Sequence, residues 1–108
     1  MKRCAICDLV YDDLELNFHH LIPKTFHGNK KILKKYTKEF LNKFGIDVCF
    51  ACHNKIHSCI SERELAYEYN SITALLDHDE IKTWIIWKQK HPDFKNAYNR
   101  MTNKRRQH

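Results

Sequence analysis

Glycine and proline are scarce in this chain, two of each in 108 residues. Disordered and low-complexity chains are rich in one or both, so the scarcity argues for a folded domain. No apolar run approaches the ~20 residues that a membrane-spanning helix needs. Behind the opening Met1-Lys2-Arg3-Cys4 there is no hydrophobic signal-peptide core, so the expected location is the cytoplasm, away from any membrane. Apart from one pair of cysteine motifs there are no internal repeats. The chain is 43% hydrophobic, enough at this length for one modest core that a metal staple would usefully reinforce.

In a reducing compartment, the five cysteines read as metal ligands before disulfides. "CAIC" sets Cys4 and Cys7 three apart, and "CFAC" does the same for Cys49 and Cys52. A C-x-x-C turn lets two thiolates face one ion, and two such turns complete the tetrahedral four-thiolate shell that zinc favours. A redox pair or four merely buried thiols would not explain the matched spacing. With 41 residues between the pairs, the loop closed by zinc must hold a substructure of its own. Cys59 has no matching partner and reads as a buried or half-buried thiol.

The net charge is +6 with histidines neutral, and its excess is uneven. Between Lys24 and Lys43 stand seven lysines and one acid, Glu39, and beyond Asp93 come five basic residues and no acid. Aromatics (Phe26, Tyr36, Phe40; Phe94, Tyr98) interleave with both patches. Lys24, Lys30, Lys31, Lys34 and Lys35 are the expected contacts of a polyanion such as nucleic acid. A solvated lysine-rich helix and a frayed tail are the alternative.

Short elements fit between these landmarks. Asp12-Asp13 signals a turn, after which Leu14, Leu16 and Phe18 alternate as the apolar face of a strand. His19 and His20 end that strand, and Pro23 stops it. "TKEFLNKFG" predicts a helix capped by Thr37, with Gly45 just past its end. "IDVCF" predicts a strand, and a helix from Cys52 puts His53 and His57, four apart, on one face. Ser61 and Glu64 have capping-box spacing before an apolar stripe of Leu65, Ala66, Tyr69, Ile72, Leu75 and Leu76, and Asn70-Ser71 is the expected point of a helix restart. Asp79 is the expected cap of a last helix that sends Ile81, Trp84, Ile85 and Trp87 into the core.

The "NFHHLIPKTFH" stretch, residues 17 to 27, gains meaning in this context. A histidine pair at a strand end can be packing, a metal site or a base. Zinc would draw that strand end toward the helix carrying His53 and His57. Two histidines from a helix face and one from a facing strand can hold a divalent ion with open positions. A neighbouring imidazole, with an ordinary pKa of ~6.5, can take a proton from water. Metal-assisted phosphodiester hydrolysis needs this equipment.

Together, "CAIC", "NFHHLIP" and "CFACHNKIH" resemble the HNH endonucleases of the His-Me finger (ββα-metal) superfamily, and small bacterial HNH proteins in particular. The resemblance spans residues 4 to 90 or so. It implies an α+β fold: a zinc-stapled ββα-metal core over 1–60, a helical C-terminal extension over 61–92 and a basic tail over 93–108. By that resemblance His20 is the general base, while His19, His53 and His57 hold a catalytic Mg²⁺, Mn²⁺, Ni²⁺ or Zn²⁺, with contact to phosphate the alternative for His57. Cys4, Cys7, Cys49 and Cys52 are then the structural zinc ligands. His27 matches a recurrent position that meets metal or phosphate. The sequence departs from the family at the central asparagine, where Phe44 stands; Asn29 is the substitute, with Asn42 and Asn54 behind it. The implied function is hydrolysis of double-stranded DNA, with a partner protein as one source of specificity. The alternatives are a zinc-stabilised nucleic-acid-binding module without catalysis and a protein-interaction domain displaying Trp84 or Trp87.

Overall fold

A computed structural model describes residues 1–94. The basic tail read from the sequence falls almost wholly outside the described residues. Strands β1 (Lys2–Arg3) and β2 (Val10–Tyr11) pair antiparallel around the first cysteine turn. That turn closes through Asp8, whose φ of 63° lies in the left-handed region. A short polar side chain tolerates this conformation better than most, and Arg3 Nη1 donates to the Asp8 carbonyl at 2.8 Å.

Strands β3 (Leu16–His20) and β4 (Gly45–Cys49) form a second antiparallel pair, running from Leu16 opposite Cys49 to His20 opposite Gly45. Their connection holds helices α1 (Lys30–Leu33) and α2 (Lys38–Lys43). Thr37 caps α2 as its spacing predicts, accepting from the Phe40 amide at 3.1 Å. Helix α3 (Phe50–Cys59) follows β4 without a loop and packs on both strands. It starts before the predicted Cys52, because Cys49 Sγ accepts from the Cys52 amide and so caps the helix itself.

Gly45 does not end α2 in a left-handed turn; no glycine has positive φ. It opens β4, where an added Cβ would collide with the His19 carbonyl and the Phe18 ring. That close approach reshapes β3. The predicted apolar alternation puts Leu14, Leu16 and Phe18 inward; Leu16 does pack against the core, but Leu14 lies in a 3-10 turn at 92% exposure and Phe18 is 44% exposed. The face meeting α3 is the opposite one, and it buries His19 to 1%. Phe18 covers the space beside Gly45 on the outer face instead.

Three helices follow: α4 (Glu62–Tyr67), α5 (Ile72–Asp77) and α6 (Asp79–Lys90). The Ser61–Glu64 capping box forms in both directions, each bond 3.1 Å, and Ser71 caps α5. The cap of α6 is His78, not Asp79: its Nδ1 accepts from the Glu80 amide at 3.2 Å. Helix α6 packs against α5 and α3 through Ile81, while Trp84 and Ile85 are half-buried. Trp87, expected in the core, is 38% exposed.

Two apolar clusters make the core. One joins both cysteine pairs to Val48, Ile56, Leu65, Leu75 and Ile81; the other gathers Ile22, Ile32, Leu41 and Ala66. Phe44 packs against both, stacked on Phe40 at 4.8 Å between ring centroids. Among the described residues no helix is long and apolar enough to cross a membrane.

Candidate metal centres and active-site cleft

The four paired cysteines converge: Cys4, Cys7, Cys49 and Cys52 are buried, with their sulfurs within 4.8 Å of one another. Metal–sulfur bonds of ~2.3 Å fit that spacing, so the cluster suits a structural ion such as zinc. Donors surround the sulfurs. Cys4 Sγ accepts from the Ile6 and Cys49 amides at 3.4 and 3.3 Å. Trp84 Nε1 donates to Cys52 Sγ at 3.3 Å. Tyr11 Oη lies 4.0 Å from Cys7 Sγ, and the fully buried Lys88 donates to that oxygen at 2.7 Å, leaving the phenolic proton free to face sulfur. Donation from the Cys4 thiol, then from Cys52 and Cys7, pushes Cys49 far below the ordinary thiol range. Bonding first to Cys4 and then to Cys49 and Cys7 holds Cys52 far above it. Against the opposing effect of Cys49, hydrogen bonding to Cys52 and Cys7 prevails and lowers Cys4 to about 6; a bound cation would favour the thiolate form of all four.

Cys59 stands apart, half-buried, its thiol directed at the Ile56 carbonyl at 3.9 Å.

A second convergence lies where β3 meets α3. His19, His53 and His57 bring ligand nitrogens within 4.8 Å of one another. Strand period turns Asn17 and His19 to the helix side, and helix period stacks His53 below His57. Ring centroids are 5.3 Å apart for His19–His53, 5.2 Å for His19–His57 and 4.8 Å for His53–His57. His19 Nε2 is buried without a hydrogen-bond partner. A buried polar nitrogen left unpaired is costly, and the three imidazoles are placed so that they could hold a metal ion between them. Burial, followed by the neighbouring His53 and His57, lowers His19 to about 3. Burial and His57 lower His53 to about 4, and burial lowers His57. All three therefore stay neutral imidazoles, the form that ligates.

His20 opens onto the same cleft, about 170 Å³, which Lys24 and Glu62 also line with the three clustered histidines. Burial, then His27 and Lys24, lowers its pKa, while the Asn42 backbone carbonyl beside the ring acts in the opposite direction. A neutral His20 can accept a proton. His27 lies 5.5 Å from it between centroids and is anchored by Nε2 donating to the Ile22 carbonyl at 2.7 Å.

Asn29 is elsewhere. Its Oδ1 accepts from the Lys31 and Ile32 amides at 2.9 and 3.2 Å and caps α1. The group beside His20 is the backbone of Asn42, the residue named behind Asn29, through its main chain and not its side-chain amide. Of the lysines, only Lys24 lines the histidine cleft. Lys30, Lys31, Lys34 and Lys35 are exposed on and after α1, and the last three edge a separate hollow with Tyr67 and Asn70.

Sequence reasoning missed four residues here. Asn17 Nδ2 lies 3.1 Å from His53 Nδ1, and its position two before His19 on the strand was the available signal. Lys88 falls seven after Ile81, on the apolar stripe of α6. Trp84 was placed in the core but not on a sulfur. Glu62, held by the Thr25 hydroxyl at 3.2 Å, reaches the cleft through tertiary packing that leaves no local pattern.

Comparison with protein-family models, curated proteins and solved structures finds no match to this chain.

Proposed function

We propose that this chain is a metal-dependent endonuclease of the HNH, His-Me finger type that hydrolyses phosphodiester bonds in DNA. The observation that carries the reading is the unpaired, buried Nε2 of His19, set against His53 and His57 in the cleft that His20 lines. His19, His53 and His57 would hold a divalent ion, here Mg²⁺, Mn²⁺, Ni²⁺ or Zn²⁺. That ion would supply positive charge for the phosphate oxygens and the departing oxygen. His20 removes a proton from water as the water oxygen bonds to phosphorus and the ester P–O bond breaks. Lys24 attracts the phosphate. Turning the Asn17 amide to present Oδ1 would hold the His53 Nδ1 proton and leave Nε2 as ligand. The cysteine cluster, filled with zinc, fixes the start of α3 and with it the positions of His53 and His57.

One observation favours a second reading, a zinc-stabilised module that binds nucleic acid without cutting it. Phe44 is a core residue where the family has its central asparagine, and Asn29 is committed to a helix cap. Plasmid incubated with zinc-loaded protein and a panel of divalent ions separates the two. Cleavage with at least one ion is the expected result. No cleavage with any ion, with four-thiolate zinc counted intact and salt-sensitive binding retained, would establish the second reading instead.

A further inference from the structure

Beyond the histidine cleft, a groove of about 490 Å³ runs between α3 and α6. Asn54, Lys55, His57 and Ser58 line it from α3, and Trp84 and Phe94 from the other side. This volume is in the range of small-molecule sites. Trp84 stacks on Trp87 at 5.3 Å and 27°, and Trp87 stacks on His91 at 4.3 Å and 17°. Phe94 stands edge-on to both indoles. The result is a ladder of flat rings, half-buried at Trp84 and exposed at Trp87, with Lys55 beside Trp84 and Lys90 in the hollow that Trp87, His91 and Phe94 line. Lys55 Nζ lies 6.0 Å from the Trp84 centroid. Bases in a stacked strand are about 3.4 Å apart, so a base between indole and ammonium needs about 6.8 Å, within reach of a lysine side chain.

We propose that this groove binds an unpaired base of a nucleic-acid strand whose phosphate lies at the histidine cleft. The proposal rests on the nucleic-acid reading of that cleft and adds a substrate class to it: a single-stranded or locally opened segment. Two features choose a nucleotide over an apolar peptide. His57 lines both the groove and the cleft, so the base and phosphate sites adjoin at that residue. Lys55 and the net charge of +6 complement a polyanion. A planar base stacks on an aromatic platform whatever its identity, and polar Asn54 and Ser58 at the rim meet base edges.

Trp84 and Trp87 are the only tryptophans, so indole fluorescence reports this face directly. Zinc-loaded full chain, without added divalent ion, is titrated with an eight-nucleotide oligothymidylate, a duplex of equal length and inorganic phosphate. Saturable quenching by the single strand, at least fivefold tighter than by the duplex, is expected. Phe94→Ala should weaken it fivefold or more, and so should Lys55→Ala at low salt; neither residue contacts the cysteine cluster. Equal response to duplex and single strand, or unchanged affinity in both variants, would overturn the proposal. So would quenching by an apolar peptide with none by oligonucleotide. Plasmid cleavage without quenching would sink the groove and leave the catalytic reading standing; quenching without cleavage would do the reverse.

Discussion

His19→Leu tests the histidine cluster through stability alone. In the protein without a second ion, His19 Nε2 is buried and unpaired. Such an atom costs about 1–3 kcal/mol. Leucine has similar volume and no polar atom, and imperfect packing beside His53 and His57 takes back part of the gain. A net gain of about 1 kcal/mol raises Tm by about 4–8 °C in a domain of this size. Added Mn²⁺ or Ni²⁺ should reverse the order. At a hundredfold excess over Kd, an ion stabilises the wild type by about 2.7 kcal/mol and the variant, lacking one ligand, by far less. Thermal melts of both zinc-loaded proteins, with and without the second ion, should therefore cross. A variant that melts below wild type without ion, or keeps the full ion-dependent shift, refutes the assignment of that nitrogen to a metal.

Three further outcomes follow from the same contacts. His19 sits at about 3 in the fold against ~6.5 unfolded, so its contribution is complete above ~6.5 and is lost as pH falls toward 3; urea midpoints should drop below pH 6.5 in wild type and more gently in His19→Leu. Lys88→Met removes the buried cation behind Tyr11 and Cys7, and should speed zinc loss to a chelator about tenfold with helicity retained; an unchanged release rate would make Lys88 a packing residue only. Gly45→Ala drives a methyl into the His19 carbonyl and the Phe18 ring, and should cost about 1–3 kcal/mol in a denaturant melt; a neutral effect would show that the two strands are looser than described.

Much of the cysteine cluster was legible, because C-x-x-C spacing is a local constraint that any zinc turn obeys, and so was the stacking of His53 on His57. The apolar face of the strand was read correctly at Leu16, which packs on the core, and wrongly at Leu14 and Phe18. Alternation favoured Leu14 and Phe18 inside, yet the helix that covers β3 offers imidazoles, and Gly45 leaves room outside for Phe18. Local pattern carries no information about which face a distant helix will cover. The same limit hid Glu62 and the indole on Cys52, both of which arise from packing across more than thirty residues. Lys88 was readable in principle, as a cation on an apolar stripe, but its purpose depends on Tyr11 at the other end of the chain. Asn29 shows the converse: its side chain, singled out by motif, satisfies a nearby helix start, while the Asn42 backbone faces His20.

Plasmid cleavage by wild type and His20→Ala, side by side across divalent ions with zinc counted in both, is the most direct measurement. The account predicts nicking or linearisation by wild type, a loss of at least a hundredfold in the variant, and equal zinc. Equal cleavage by both would contradict the assignment of His20 as the base, and no cleavage by either, with zinc intact, would contradict the nuclease itself.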